Sequence, residues 1–241
     1  MKKTTNLVAL VLLSLVLITT SCKKDKEDAY SCASCASAPE ALAENDNSSK
    51  GIYKGFVLGS SGTIKFNILN AGSLITAEMI LDGEVINLQS SVTWQAGQAY
   101  FAPFTGVHNG QVVSVDFSVG ASGSTPTVTS INIPGHPNAV IEVIKETSDN
   151  QIKCFEGTFS GDDSGGLNVI LSEQLGYWTG VAHNSVSGSN TPFNGTLSGN
   201  NINCNCQSGT SVNATLSGDE ITSGTWNDGS GTGTWSAVRT L

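Results

Sequence analysis

The sequence predicts an all-β body: an antiparallel up-and-down meander that closes into a barrel or folds into a sandwich, with signs of a duplicated unit. Three observations carry that expectation. Beyond Lys50, short runs alternate apolar and polar residues: Ile64, Phe66 and Ile68 around Lys65 and Asn67, then Val113, Val115, Phe117 and Val119, then Leu167, Val169 and Leu171, then Val212, Ala214 and Leu216. A period of two over such lengths turns one face of an extended strand to a core and the other to water. Turn signals separate the runs, among them Gly59-Ser60-Ser61-Gly62, Asp82-Gly83, Asn109-Gly110, Gly218-Asp219 and Asn227-Asp228-Gly229. Asn, Asp and Gly suit these places because they tolerate the left-handed backbone of a tight hairpin. Finally, the stretch from Tyr53 to Leu69 echoes the stretch from Phe155 to Leu171, with Tyr53 matching Phe155, Gly55 matching Gly157 and Gly59 matching Gly161. Self-similarity at that distance suggests two repeats, 51–147 and 153–241, of about eight short strands each.

The chain opens on Lys2 and Lys3, followed by an uninterrupted run from Leu7 to Ile18 and the small residues Thr19, Thr20 and Ser21 before Cys22. A basic end, a short apolar core and small residues before a cut are the layout of a secretory signal, here residues 1–21, too short to span a bilayer comfortably. Ser21-Cys22 resembles the lipobox of Bacteroidota-type bacterial lipoproteins, with Thr19 standing where an aliphatic residue is usual. The resemblance implies that Cys22 is lipidated and becomes the new N-terminus, making the membrane a partner through that lipid. Several acyl chains buried together anchor firmly. Behind Cys22, Asp25, Glu27 and Asp28 interleave with Lys23, Lys24 and Lys26. That acidic cluster resembles the signal sending such lipoproteins to the cell surface. The implied location is therefore the outer membrane with the body facing outward, the periplasmic face being the alternative.

Residues 22–50 are charged, then rich in Ala, Ser and Asn, with hardly any large apolar side chain. Such a segment buries too little surface to offset its chain entropy, so a disordered tether is expected there. Within it, Cys32 and Cys35 stand as Cys-Ala-Ser-Cys. No second pair at zinc spacing surrounds them, which leaves a local disulfide or free thiols in an exported linker.

Charge excludes one class of partner. Loss of Lys2 and Lys3 with the signal leaves 9 of 11 cations against 20 acids, a net charge of −11. Nucleic acid demands clustered Lys and Arg to replace phosphate counterions, so it is not an expected partner. All 27 glycines lie beyond Lys50, where charges are sparse, so Ser, Thr and Asn must solvate the outer faces.

No Gly-x-Ser-x-Gly elbow marks a nucleophile. His108, His136 and His183 each neighbour turn residues, the ordinary setting of exposed surface histidines. Asp162 and Asp163 adjoin in a Gly-bounded turn, while Glu142, Glu156, Glu173 and Glu220 are scattered, so no spacing selects a glycosidase pair. Calcium at Asp162, Asp163 or Asp228 lacks the alternating-oxygen loop of a dedicated site, and neither a metal nor a cofactor is expected. Cys204 and Cys206 share a face with Ile202 and read as small buried side chains or as disulfide partners for Cys154. With Cys22 lipidated, five thiols remain, so at least one lacks an intramolecular partner.

Trp94, Trp178, Trp226 and Trp235, with Tyr100 and Tyr177, are the candidates to hold a sugar or another ring in a barrel mouth, or else to fill a core. Trp226 and Trp235 lie symmetrically about the last turn, which suggests a cross-strand pair. The Gly-Thr-Trp run and terminal Arg239 of that hairpin resemble motifs of lipocalin- and avidin-like barrels. These readings point to a non-enzymatic, membrane-anchored surface lipoprotein whose β-body binds a small molecule, a glycan or a protein. The alternatives are a secreted glycan-acting hydrolase and a structural part of an envelope assembly that pairs through a sheet edge.

Overall fold

The computed structural model describes residues 29–58, 62–206 and 209–241, so the signal segment, Cys22 and most of the first turn lie outside the described residues. Two eight-stranded antiparallel sheets make up the body. The first holds β1 (Gly51–Leu58), β2 (Gly62–Ile68), β3 (Ile75–Leu81), β4 (Glu84–Gln89), β5 (Tyr100–His108), β6 (Gln111–Val119), β7 (Thr127–Asn132) and β8 (Val140–Glu146). The second holds β9 (Lys153–Gly161), β10 (Gly165–Ser172), β11 (Tyr177–Asn184), β12 (Asn190–Ser198), β13 (Asn201–Asn205), β14 (Ser211–Ser217), β15 (Glu220–Asn227) and β16 (Thr232–Arg239).

Each sheet is a meander whose first strand also borders its last, the all-β, up-and-down architecture read from the sequence. The repeat is visible in equivalent places: Tyr53 on β1 and Phe155 on β9 are each fully buried in the core of their own sheet. Gly55 and Gly157 are equivalent too, since a Cβ on either would strike the backbone of the last strand of its sheet. The hairpin turns follow their sequence signals. Asp82 and Gly83 take φ of 50° and 82°, Asn109 and Gly110 take 50° and 75°, and two consecutive positive angles suit the right-handed twist of the flanking strands.

The two barrels differ in closure and filling. In the second, β16 hydrogen-bonds along β9 and leaves no edge. In the first, no ladder joins β7 to β8, and β4 meets β5 in register only at Gln89 and Thr105. Its interior is nonetheless solid. Phe66 stacks on Phe117 at 4.5 Å and meets Phe104 edge-on at 5.0 Å, with Tyr53 and Met79 filling the rest.

The barrels share a seam where β1 lies against β9 and β10. Phe56, Leu58, Ile152, Cys154, Ile170 and Val181 form a buried cluster there. This explains why β10 is buried on both faces: Leu167, Val169 and Leu171 point into their own barrel while Ile170 points into the seam.

The expected disordered tether is corrected over its described part. Residues 29–50 form a strap that crosses the seam. Tyr30 donates its hydroxyl to the Arg239 carbonyl at 2.8 Å, the Cys32 N–H donates to Asp219 at 3.0 Å, and Arg239 donates to the Ala36 carbonyl at 2.8 Å. On the first barrel, the Glu40 N–H donates to Glu146 at 2.6 Å, the Leu42 N–H to Asn70 at 2.9 Å, and the Ser148 N–H to Asp46 at 2.8 Å. A brief 3-10 turn, Ala43–Asn45, tucks Asn45 under Asn70. Composition missed this because the strap is held by polar side chains and backbone rather than by apolar burial.

Two strap contacts titrate. Burial raises the Asp219 carboxyl, but the Cys32 N–H and the Arg239 guanidinium outweigh it and hold the group below its ordinary value. Burial likewise opposes Lys54 and Lys65 at Glu40, and the lysines win. A carboxylate with a depressed folded pKa stabilises at neutral pH and loses that contribution as pH falls through the folded value. The Cys32 amide resonance should therefore shift with acid below about pH 4. A resonance that stays fixed down to the unfolding of the barrels would contradict the contact.

Candidate ligand-binding well

The closed barrel is hollow at one end. A cavity of about 420 Å³ opens among the turns at 162–164, 185–189 and 228–231, at the mouth opposite Arg239 and Asp219. Its walls carry Phe159, Phe193, Trp226 and Trp235, with Leu167 and Val212 between them.

The hollow has a cause in strand register. Trp178 lies directly across from Gly195, and Phe193 from Gly180. On the last hairpin Trp226 faces Gly233 and Trp235 faces Gly224, while Phe159 faces Gly165. Residues directly opposite share a face of the sheet, so each ring turns toward a partner with no side chain and lies along the wall. A Cβ on Gly180 would run into the Phe193 ring, one on Gly233 into the Trp226 indole and one on Gly224 into that of Trp235. Rings laid flat over glycines thicken the wall and leave the axis open. The first barrel has no such pairing at Phe66, Phe104 or Phe117, which cross Ala77, Val115 and Ala102, and its rings meet in the middle.

Indole N–H groups are already used. Trp178 donates to the Asn203 carbonyl, Trp226 to that of Ser160 and Trp235 to that of Asn213, each at 3.2 Å. The rings therefore offer faces and not donors. Trp178 and Trp235 stack 6.3 Å apart at 19° to make the floor, and Phe159 stands at 87° to Trp226 as two walls of a box. Asn184, Ser187, Thr191 and Thr210 make a polar rim with Asp163 and Asp228. The backbone N–H and hydroxyl of Ser230 and the Gly231 N–H all donate to Asp228, at 2.9, 2.8 and 2.7 Å, and hold its carboxyl below the ordinary range, hence ionised.

Of the tryptophans singled out from sequence, Trp226 and Trp235 line the well and Trp178 is fully buried beneath it. Trp94 belongs to the first half, where its indole donates to Ser49 at 2.8 Å and Lys50 sits 4.4 Å above its ring. Tyr100 fills the first core, and Tyr177 is exposed. Trp226 and Trp235 do not pair with each other. The turn over Asp228–Gly231, capped by the Asp228 carboxylate, puts each opposite a glycine instead.

The histidines do not converge. His108 and His136 reach Glu84 at 3.3 Å and Asp82 at 3.6 Å, while His183 bonds Asn190 on the other barrel. Among the described residues, no group of three His, Cys, Asp or Glu side chains is placed to hold a metal. Cys32 bridges Cys35, and Cys204 bridges Cys206. Of the two readings left open for Cys204 and Cys206, the bridge to Cys154 does not form: alternation along β9 sends Cys154 into the seam, away from the barrel interior that holds Cys204. Burial pushes its thiol up to about 12, so it stays protonated and inert.

Phe159 and Phe193 were missed, as were the glycines beneath the rings. For Phe193 and the glycines a signal was present as reciprocal spacing: Trp178-Thr179-Gly180 runs against Phe193-Asn194-Gly195, and Gly224-Thr225-Trp226 against Gly233-Thr234-Trp235. Nothing matches this chain among protein-family models, curated proteins or solved structures.

Proposed function

We propose that this chain is an exported lipoprotein, held at the outer membrane through lipid on Cys22 and facing the cell surface, whose closed barrel binds a small molecule with a flat apolar portion. The observation that carries the binding reading is the unfilled mouth, about 420 Å³, kept open by aromatic rings lying over glycines. Ligand wells of this size are usually concave, largely apolar and edged with a few polar groups. The anchor rests on the N-terminal resemblance. Cys22→Ala should move the protein from washed membranes to the soluble fraction, and persistence in the membranes would contradict the anchor.

The well is tested with the uncharged fluorophore N-phenyl-1-naphthylamine. Its emission should rise and shift to the blue on binding. Ala182→Trp, which puts an indole into the mouth, and Trp226→Ala, which removes a wall, should each weaken binding by about tenfold, a change of about 1.4 kcal/mol. Unaltered affinity in both variants would reject the well.

The glycan-hydrolase alternative draws on Asp163 and Asp228 sharing one mouth. It needs one carboxyl held protonated as the general acid. Asp228 is shifted in the opposite direction. The assembly alternative draws on the unpaired edge of β7, yet that strand is short and its pairing with β6 is broken by a register shift at Asp116 and Phe117, both of which blunt an edge.

A further inference from the structure

We propose that the well selects a cation: a small organic ammonium or amidinium whose charge sits among the ring faces and the rim carboxylates and whose apolar part reaches the Trp178–Trp235 floor. The inference rests on the well being a binding site and adds the sign of the ligand's charge.

Three observations bear on it. The first is the charge of the mouth. The turns at 162–164, 185–189 and 228–231 carry Asp162, Asp163 and Asp228 and no Lys, Arg or His. The cations of this half, Lys153 and Arg239, pair with Glu173 and Asp219 at the far end. A concave site with low-dielectric walls and one sign of charge focuses its field outward and draws the opposite charge.

The second is the orientation of the rings. Because the indole N–H groups of Trp226 and Trp235 are bonded to Ser160 and Asn213, the π faces are what remains for a ligand. Those faces are electron-rich and attract a cation within about 6 Å of the ring centroid. An anion there would meet the same faces and two carboxylates, with only the uncharged rim groups Asn184, Ser187, Thr191 and Thr210 to set against its desolvation.

The third is the way Asp228 is built in. Its donors, Ser230 and Gly231, lie in its own turn and fix the carboxylate at the mouth. Asp162, which precedes the rim residue Asp163, accepts from the Thr232 N–H at 2.8 Å and ties that turn to the last strand. The Asp228 carboxylate is thus placed before a ligand arrives, and the ordering cost of recruiting it is already met.

The test uses three probes of one shape, measured by Trp fluorescence and calorimetry on the folded chain: 1-naphthylmethylammonium, 1-naphthylmethanol and 1-naphthoate. The ammonium should bind about tenfold tighter than the alcohol, with the carboxylate weakest, and salt should narrow the gap. Asp228→Asn and Asp163→Asn together should remove most of the ammonium's advantage over the alcohol, leaving the share that the ring faces supply. Asn keeps a side-chain oxygen to accept from Ser230 and Gly231, so the turn survives. Equal affinity of the wild-type chain for ammonium and alcohol overturns the charge selection while leaving the well standing. Failure of all three probes to bind or to alter Trp emission overturns both.

Discussion

Lys54→Met should destabilise the chain by about 3–5 kcal/mol, the usual cost of leaving a buried charge without its partner. Lys54 is fully buried on β1 and lies 2.8 Å from Glu146, itself fully buried, and 2.8 Å from Glu40. In the variant, Glu146 would keep the N–H groups of Glu40 and Ile152 but lose its counter-charge. Glu40 is partly exposed and has Lys65 at 3.2 Å, so it suffers less. Chemical denaturation followed by circular dichroism measures the loss. Combining Lys54→Met with Glu146→Gln should recover part of it, because the orphaned charge is then gone. A single variant within about 0.5 kcal/mol of the wild type, the range of ordinary surface changes, would show that water reaches the pair.

Trp178→Ala should cost a similar amount, about 3–5 kcal/mol, but in the other barrel. The indole is fully buried, stacks on Trp235 and satisfies the Asn203 carbonyl. Removing it opens a void beneath the well and takes the indole donor away from that carbonyl. The second barrel should then unfold ahead of the first, splitting one transition in two. Tryptophan emission reports this by half, since Trp226 and Trp235 remain in the second barrel and Trp94 in the first. A single transition with an unchanged midpoint would contradict the role of the floor.

The fold was legible because its signals are local. Alternation at Ile64–Ile68 and Val113–Val119, and the Asp82-Gly83 and Asn109-Gly110 turns, depend on neighbours along the chain and hold in the structure. The well was only half legible. Trp226 and Trp235 were recognisable as candidates, but their glycine partners depend on hairpin register, which the Asp228–Gly231 turn decides. Phe159 gave no sign of its own, because a phenylalanine in an alternating strand looks the same whether it fills a core or lines a wall, and the Phe193-Asn194-Gly195 spacing becomes a signal only once its register against Trp178-Thr179-Gly180 is known. The strap was the least legible part. Its polar residues match a disordered segment in composition, and only the distant acceptors and donors Asp219, Arg239, Asn70 and Glu146 reveal what they are for.

That strap also governs how the molecule would stand on a membrane. Tyr30 and Cys32 are fastened to Arg239 and Asp219, at the base of the second barrel. Between Cys22 and Ala29 only seven peptide links remain, spanning at most about 25 Å. A lipid on Cys22 would therefore moor the barrel by its foot, like a cup set upright. Its opening would look away from the bilayer, toward whatever diffuses past.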